Sequence, residues 1–169
     1  DWFDPLTLIQ AVARLSQSRP SVKLFFMGTA HPHPGVPEMP IIKKARELAA
    51  ELGVSGTHVF FNDSWVDYDE RQNYLLEADI GVSTHRSHIE TTFSFRTRIL
   101  DYLWASLPMV VTEGDHFADL VEKHGLGITV PAADTQALVD ALENALFDAE
   151  FRSSAIEALA GVRESYRWS

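Results

Sequence analysis

The feature that most constrains this chain is an alternation. Five short apolar runs, VKLFFMG (22–28), HVFFND (58–63), IGVSTH (80–85), MVVT (109–112) and GITVP (127–131), are separated by stretches of helical periodicity. Continuous apolar runs are the mark of strands buried on both faces, and strand–helix alternation places such strands side by side in parallel. The expected fold is α/β: a doubly wound, mainly parallel, Rossmann-like sheet with helices on both faces.

The helices between the runs can be placed from their caps and stripes. Asp4 and Pro5 suit the N-cap and first position of an opening helix, with Leu8, Val12 and Leu15 as its apolar stripe. A second helix starts near Pro40, faces inward through Ile41, Ala45, Leu48, Ala49 and Leu52, and stops at Gly53. Asp67 and Glu70 have capping-box spacing ahead of a helix through Tyr74, Leu75 and Ala78. Asp115 caps a helix with Phe117, Leu120 and Val121 inward, ended by Gly125. Asp134 caps another, with Leu138, Ala141, Leu142 and Ala145 on one face. A last helix carries Phe151, Ala155, Leu159, Val162 and Tyr166. All 169 residues fit one domain. The strand that alternation demands before the first helix is not in the sequence, so the chain is expected to be a piece of a longer protein.

Charge narrows the function. Fourteen Lys and Arg stand against 24 Asp and Glu, a net charge of −10, which opposes a nucleic-acid surface and purely electrostatic docking to acidic lipid. With no cysteine there is neither a disulfide framework nor a thiolate zinc site, which fits a cytoplasmic setting. The opening residues lack the pattern of a secretion signal, and no apolar run nears the ~20 residues of a membrane span. Any membrane-surface association is left to the missing part.

Ligands of doubly wound sheets bind beyond the carboxyl ends of the strands. Here those ends carry the loops 28–34, 62–66, 83–90 and 112–116, which hold most of the unusual polar residues. The stretch ETTFSFRTRILDYLWASLPMVVT (90–112) stands out among them. It reads as a polar loop, a helix with Leu100, Leu103 and Trp104 on one stripe, a stop at Pro108 and a buried strand. Arg96, Arg98 and Asp101 fall in its first turns, where free backbone N–H groups also gather. Such a terminus suits a phosphate, and a carboxylate one turn further in can accept sugar hydroxyls. The plain alternative is an ordinary sheet helix with solvated arginines and an Asp101–Arg98 pair. Trp65, after the second strand, either lines a base pocket or packs locally. Gly28 leaves room for a close backbone approach.

The order LTLIQAVARL, VKLFFMG, HVFFNDSW, YLLEADIGVSTH, FRTRILDYLWASLPMVVTEGD, GLGITVPAADTQALVDAL resembles the C-terminal, donor-binding domain of retaining GT-B (group 1) glycosyltransferases over nearly the whole chain. The segment 98–112 is the most specific part. The resemblance implies a nucleotide-sugar donor site in a hexosyl-transferring enzyme. A glutamate of that family binds the nucleotide ribose where Asp101 stands here. The family's pyrophosphate-binding amides fall on Phe93, Ser94, Phe95 and Arg96. A second family glutamate, eight positions upstream of the first, falls on Phe93, and Glu90 is the nearest carboxylate to take its part at the donor sugar. His85 is placed as a polar lining of the donor site. The family's basic Arg and Lys pair would precede Asp1, and so would the N-terminal acceptor domain, which is the expected partner. The isolated domain is expected to bind nucleotide without transferase activity. No cofactor and no nucleic acid are implied.

Other readings exist. His85, His88 and Glu90, with His31 and His33 of the same kind, have the chemistry of a zinc set. They sit in loops, and the family generally needs no catalytic metal, so no metal is expected. A sugar-nucleotide epimerase half would share the architecture but needs acid and base groups from elsewhere. A non-enzymatic regulatory module of the receiver type would need acidic residues at the ends of its first and third strands, where Gly28 and Ser83–Thr84 stand. A dinucleotide dehydrogenase would need a Gly-rich fingerprint where GTAHPHPG stands.

Overall fold

The computed structural model describes residues 3–29, 33, 35–88 and 97–165. In chain order the elements are α1 (Pro5–Ser18), β1 (Leu24–Phe26), α2 (Pro40–Glu51), β2 (Val59–Phe61), a 3-10 turn (Tyr68–Glu70) running into α3 (Arg71–Glu77), and β3 (Gly81–Ser83). Then come α4 (Thr97–Ala105), β4 (Met109–Thr112), α5 (His116–His124), β5 (Gly127–Val130), α6 (Thr135–Phe147) and α7 (Ala149–Ser165). Every expected strand forms, β4 over its full run and the others trimmed.

The ladders are parallel. β1 pairs with β2, setting Leu24 against Val59. β3 pairs with β4 and β4 with β5, setting Val82 against Val110 and Val110 against Ile128. Among the described residues no ladder joins β1 to β3, so the expected single sheet is two ladders, β1-β2 and β3-β4-β5. Periodicity marks which runs are strands; it carries no information on which of them pair.

Helices cover both faces. Val110 belongs to one core cluster, with Ile9, Leu15, Ala45, Val59 and Leu138, beneath α1, α2 and α6. Its strand neighbours Met109 and Val111 belong to the other, with Ile99, Leu103, Val121 and Leu159 from α4, α5 and α7. Alternation along β4 thus feeds two cores. A fully buried Ile9 contributes about 1.5–3 kcal/mol to its side of the sheet. No helix among the described residues is long and apolar enough to cross a membrane.

The caps follow the sequence closely. Asp4, Asp115 and Asp134 each accept the N–H three residues on, from Thr7, Ala118 and Ala137. Gly125 closes α5 in the left-handed region at φ 65°. Three expectations need correction. Leu52, expected on the inward face of α2, is its C-cap and 42% exposed. Asp67 makes no side-chain cap bond, because the chain first winds a 3-10 turn before α3 starts at Arg71. On α4 the buried stripe is Ile99, Tyr102 and Leu103, while Trp104 is 50% exposed. The register is set by Tyr102, whose ring fills the space a side chain at Gly81 would take and whose hydroxyl donates to the Val82 carbonyl at 2.9 Å.

Candidate functional site

Asp101 lies one turn into α4 and is half-buried. Burial raises its carboxyl pKa above the ordinary value, and the charges of Arg71 and Arg98 pull it back down. Arg71, at the start of α3, lies over two rings at once, 5.6 Å from the centroids of Trp65 and Tyr68. Arg98 lies over the ring of Phe3 at 5.0 Å. Two helix starts and the connection after β2 thus bring a carboxylate, two guanidinium groups and a half-exposed tryptophan to one place. Each arginine stacks on an aromatic face, which orders it without neutralising it.

The loops after β1 and β2 are tied together. Arg46 of α2 donates to Asp63 at 2.7 Å, to Glu38 at 3.2 Å and to the Thr29 hydroxyl at 3.4 Å, and lies 4.7 Å over the ring of Phe61. The Thr29 hydroxyl donates to the Asn62 carbonyl. Asn62 in turn donates to the carbonyls of Met27 at 3.2 Å and Ser64 at 2.9 Å. Gly28 is held open within this frame: a side chain added there would meet nothing within 4 Å.

A third polar group is buried where β3 and β4 end. His85 is 2% exposed, and its backbone N–H donates to the Thr112 hydroxyl at 3.1 Å. A carbonyl can only accept, so Nδ1–H donates to the Arg86 carbonyl at 3.1 Å. Nε2 lies 3.6 Å from Oδ2 of the buried Asp115 and finds no hydrogen-bond partner among the described residues. A cavity of about 10 Å³, the size of one water, adjoins them between Asp4, Thr84, Thr112 and Asp134.

Measured against the expectations, Asp101, Arg98 and Trp65 come together. His85 sits beneath the surface rather than at an open mouth, and Gly28 stands between Met27 and Thr29, both bonded to Asn62. Glu90, Phe93, Ser94, Phe95 and Arg96 lie outside the described residues, as does His31. Among the described residues no three His, Asp or Glu side chains are grouped to hold a metal. Arg71 and Arg46 were not singled out in the sequence. Arg71 follows three acidic residues in DYDER and reads there as a solvated charge; its place six residues after Trp65 is the signal available. Nothing in the sequence marks Arg46.

Residues 4–148 match the family described as Glycosyl transferases group 1. The chain belongs to that family. No curated protein matches it by sequence. Among solved structures, this group 1 chain resembles WaaG, a glycosyltransferase involved in lipopolysaccharide biosynthesis, with 21% identity and a TM-score of 0.71; the match covers 94% of this chain and 38% of WaaG. It resembles the C-terminal domain of the group 1 protein LpcC from Francisella tularensis with 15% identity and a TM-score of 0.76, covering 95% of this chain and 77% of that one. An Escherichia coli trehalose-6-phosphate protein bound with UDP-2-fluoro glucose matches at 14% identity and a TM-score of 0.67, covering 98% of this chain and 38% of that one. At these identities the likeness is one of fold, and the chain spans well under half of WaaG. The fold is that of one half of a GT-B glycosyltransferase.

Proposed function

We propose that this domain binds the nucleotide-sugar donor of a hexosyl-transferring group 1 enzyme. In this reading Asp101 accepts the ribose hydroxyls, and Arg71 and Arg98 offset the diphosphate charge. The amides of Phe93–Arg96 cradle the pyrophosphate, and Glu90 faces the sugar. The reading is carried by one observation: a half-buried carboxylate in the first turns of α4, flanked by two ring-stacked arginines and next to Trp65. A carboxylate beside two cations accepts hydroxyl donors strongly once ionised. Guanidinium groups near a leaving diphosphate stabilise the charge that grows as the glycosidic bond breaks. Acceptor binding and any base belong to a second domain of the same protein, with the reaction in the cleft between them.

Thermal shift against UDP, GDP and ADP, free and sugar-linked, tests the reading on the wild type and on Asp101→Ala. Binding stabilises by about 2.7 kcal/mol at a hundredfold excess over Kd, a rise of several degrees for a domain of this size. One diphosphate is expected to raise Tm in the wild type and to leave Asp101→Ala unmoved. Wild type unmoved by all three, or a shift that survives in the variant, removes the Asp101 site.

A further inference from the structure

Arg46, in the middle of α2, gathers three stretches of chain. Its Nη2 donates to Oδ1 of Asp63, in the loop after β2, at 2.7 Å. The same nitrogen donates at 3.4 Å to the hydroxyl of Thr29, at the start of the loop after β1. Its Nε donates at 3.2 Å to Glu38, near the end of that loop. The guanidinium lies 4.7 Å over the ring of Phe61, which stacks at 5.0 Å on its ladder partner Phe26. A planar fork serves acceptors on three segments and a ring at once, where a lysine offers one point of charge.

The hold passes along the chain on either side of Asp63. Asn62 closes a tight turn over it: Oδ1 accepts the Ser64 N–H at 3.4 Å and the Ser64 hydroxyl at 3.1 Å. Its Nδ2 donates to the carbonyls of Met27 and Ser64 and so ties the turn to the end of β1. The next residue is Trp65, 45% exposed, with Arg71 over its ring. The charge of Arg71 acts on Asp101. Contacts and chain thus lead from Arg46 through the turn 62–65 and Arg71 to the carboxylate assigned to the ribose.

Exposure decides what kind of part this is. The side chains of Asp63, Glu38 and Arg46 are 82%, 41% and 32% exposed. Ion pairs this open to water contribute little to global stability. What they set is geometry, at two of the strand ends beyond which ligands of such sheets bind.

We propose that Arg46 is a positioning residue of the donor site, which clasps the loops after β1 and β2 and so fixes the turn that presents Trp65. The consequence for binding rests on the nucleotide reading; the clasp itself rests on the contacts of Arg46.

The test compares Arg46→Gln, Arg46→Lys and Asp63→Ala with the wild-type chain. The Asp63 side chain is exposed, so its truncation leaves the fold in place. Heteronuclear NMR follows the indole N–H signals of the four tryptophans, with that of Trp65 identified by its loss in Trp65→Phe. In Arg46→Gln and Asp63→Ala the Trp65 signal is expected to move by more than its linewidth while that of Trp104, on α4, stays in place. Arg46→Lys is expected to move it less. Tm is expected to fall by less than about 4 °C in each. Calorimetric affinity for the diphosphate that binds the wild type is expected to weaken about tenfold in Arg46→Gln and less in Arg46→Lys. A Trp65 signal fixed in both Arg46→Gln and Asp63→Ala would overturn the proposal. So would a displaced Trp65 signal with unchanged diphosphate affinity. A large loss of Tm with all four signals displaced would also overturn it, because Arg46 would then support the fold as a whole. A wild type that binds no diphosphate removes the donor reading by itself, and the Trp65 signal alone then upholds or overturns the clasp.

Discussion

Asp101 holds its charge against its surroundings. Burial raises its pKa more than Arg71 and Arg98 lower it, so the folded carboxyl keeps its proton to a higher pH than the unfolded one. In the window above the ordinary carboxyl value of 3.8 the folded chain binds more protons, and stability falls as pH rises through that window. Asp101→Asn is therefore expected to raise Tm at pH 7 while weakening the diphosphate shift, with the gain in Tm gone near about pH 3, where both side chains are neutral. Calorimetry at the two pH values reads the sign. Gly28→Ala makes the complementary case. With open space around the new methyl and no positive φ, unfolding is expected to change by less than about 0.5 kcal/mol. Any loss of nucleotide affinity would then report a ligand passing close to that backbone. The sequence made Asp101, Arg98 and Trp65 legible because their types and their positions at strand and helix ends carry chemistry. It hid Arg71, whose role depends on where two aromatic rings converge.

At the scale of elements, caps were readable because they are local: Asp4, Asp115 and Asp134 lie three residues from the N–H groups they accept. Asp115→Ala is expected to cost about 1–2 kcal/mol by urea denaturation, because its bond to Ala118 N–H at 2.8 Å is buried. Asp115→Asn keeps the cap and is expected to cost less than half as much; an equal loss would assign the effect to the carboxylate facing His85. The α4 stripe was misread because Leu100, Leu103 and Trp104 fit helical spacing as well as Ile99, Tyr102 and Leu103 do. The choice is made across the chain, by the fit of Tyr102 against Gly81. Gly127 shows the same dependence. A Cβ there would lie 2.0 Å from the Met109 carbonyl oxygen, which is backbone of the paired strand and has nowhere to go. Gly127→Ala is expected to lose about 3 kcal/mol, the upper part of the range for overpacking.

For the whole molecule, alternation announced the α/β architecture and gave both helical layers, since each strand run needed cover on two faces. Strand pairing was beyond it. The split into β1-β2 and β3-β4-β5 depends on contacts between runs far apart in sequence, which periodicity does not encode. That split has a mechanical consequence. β1, α2 and β2 are attached to the remainder by side chains packed under α1 and by the Phe25–Tyr74 stack, with no rung of backbone bonds between β1 and β3 among the described residues. Dispersion contacts fade within an ångström or so of separation, so such a seam opens over a short travel and leaves each side's own ladder intact. This flank is thus expected to open before the rest of the chain unfolds. A protease under native conditions is expected to nick the exposed residues 55–57 while the backbone of β4 and β5 is still whole.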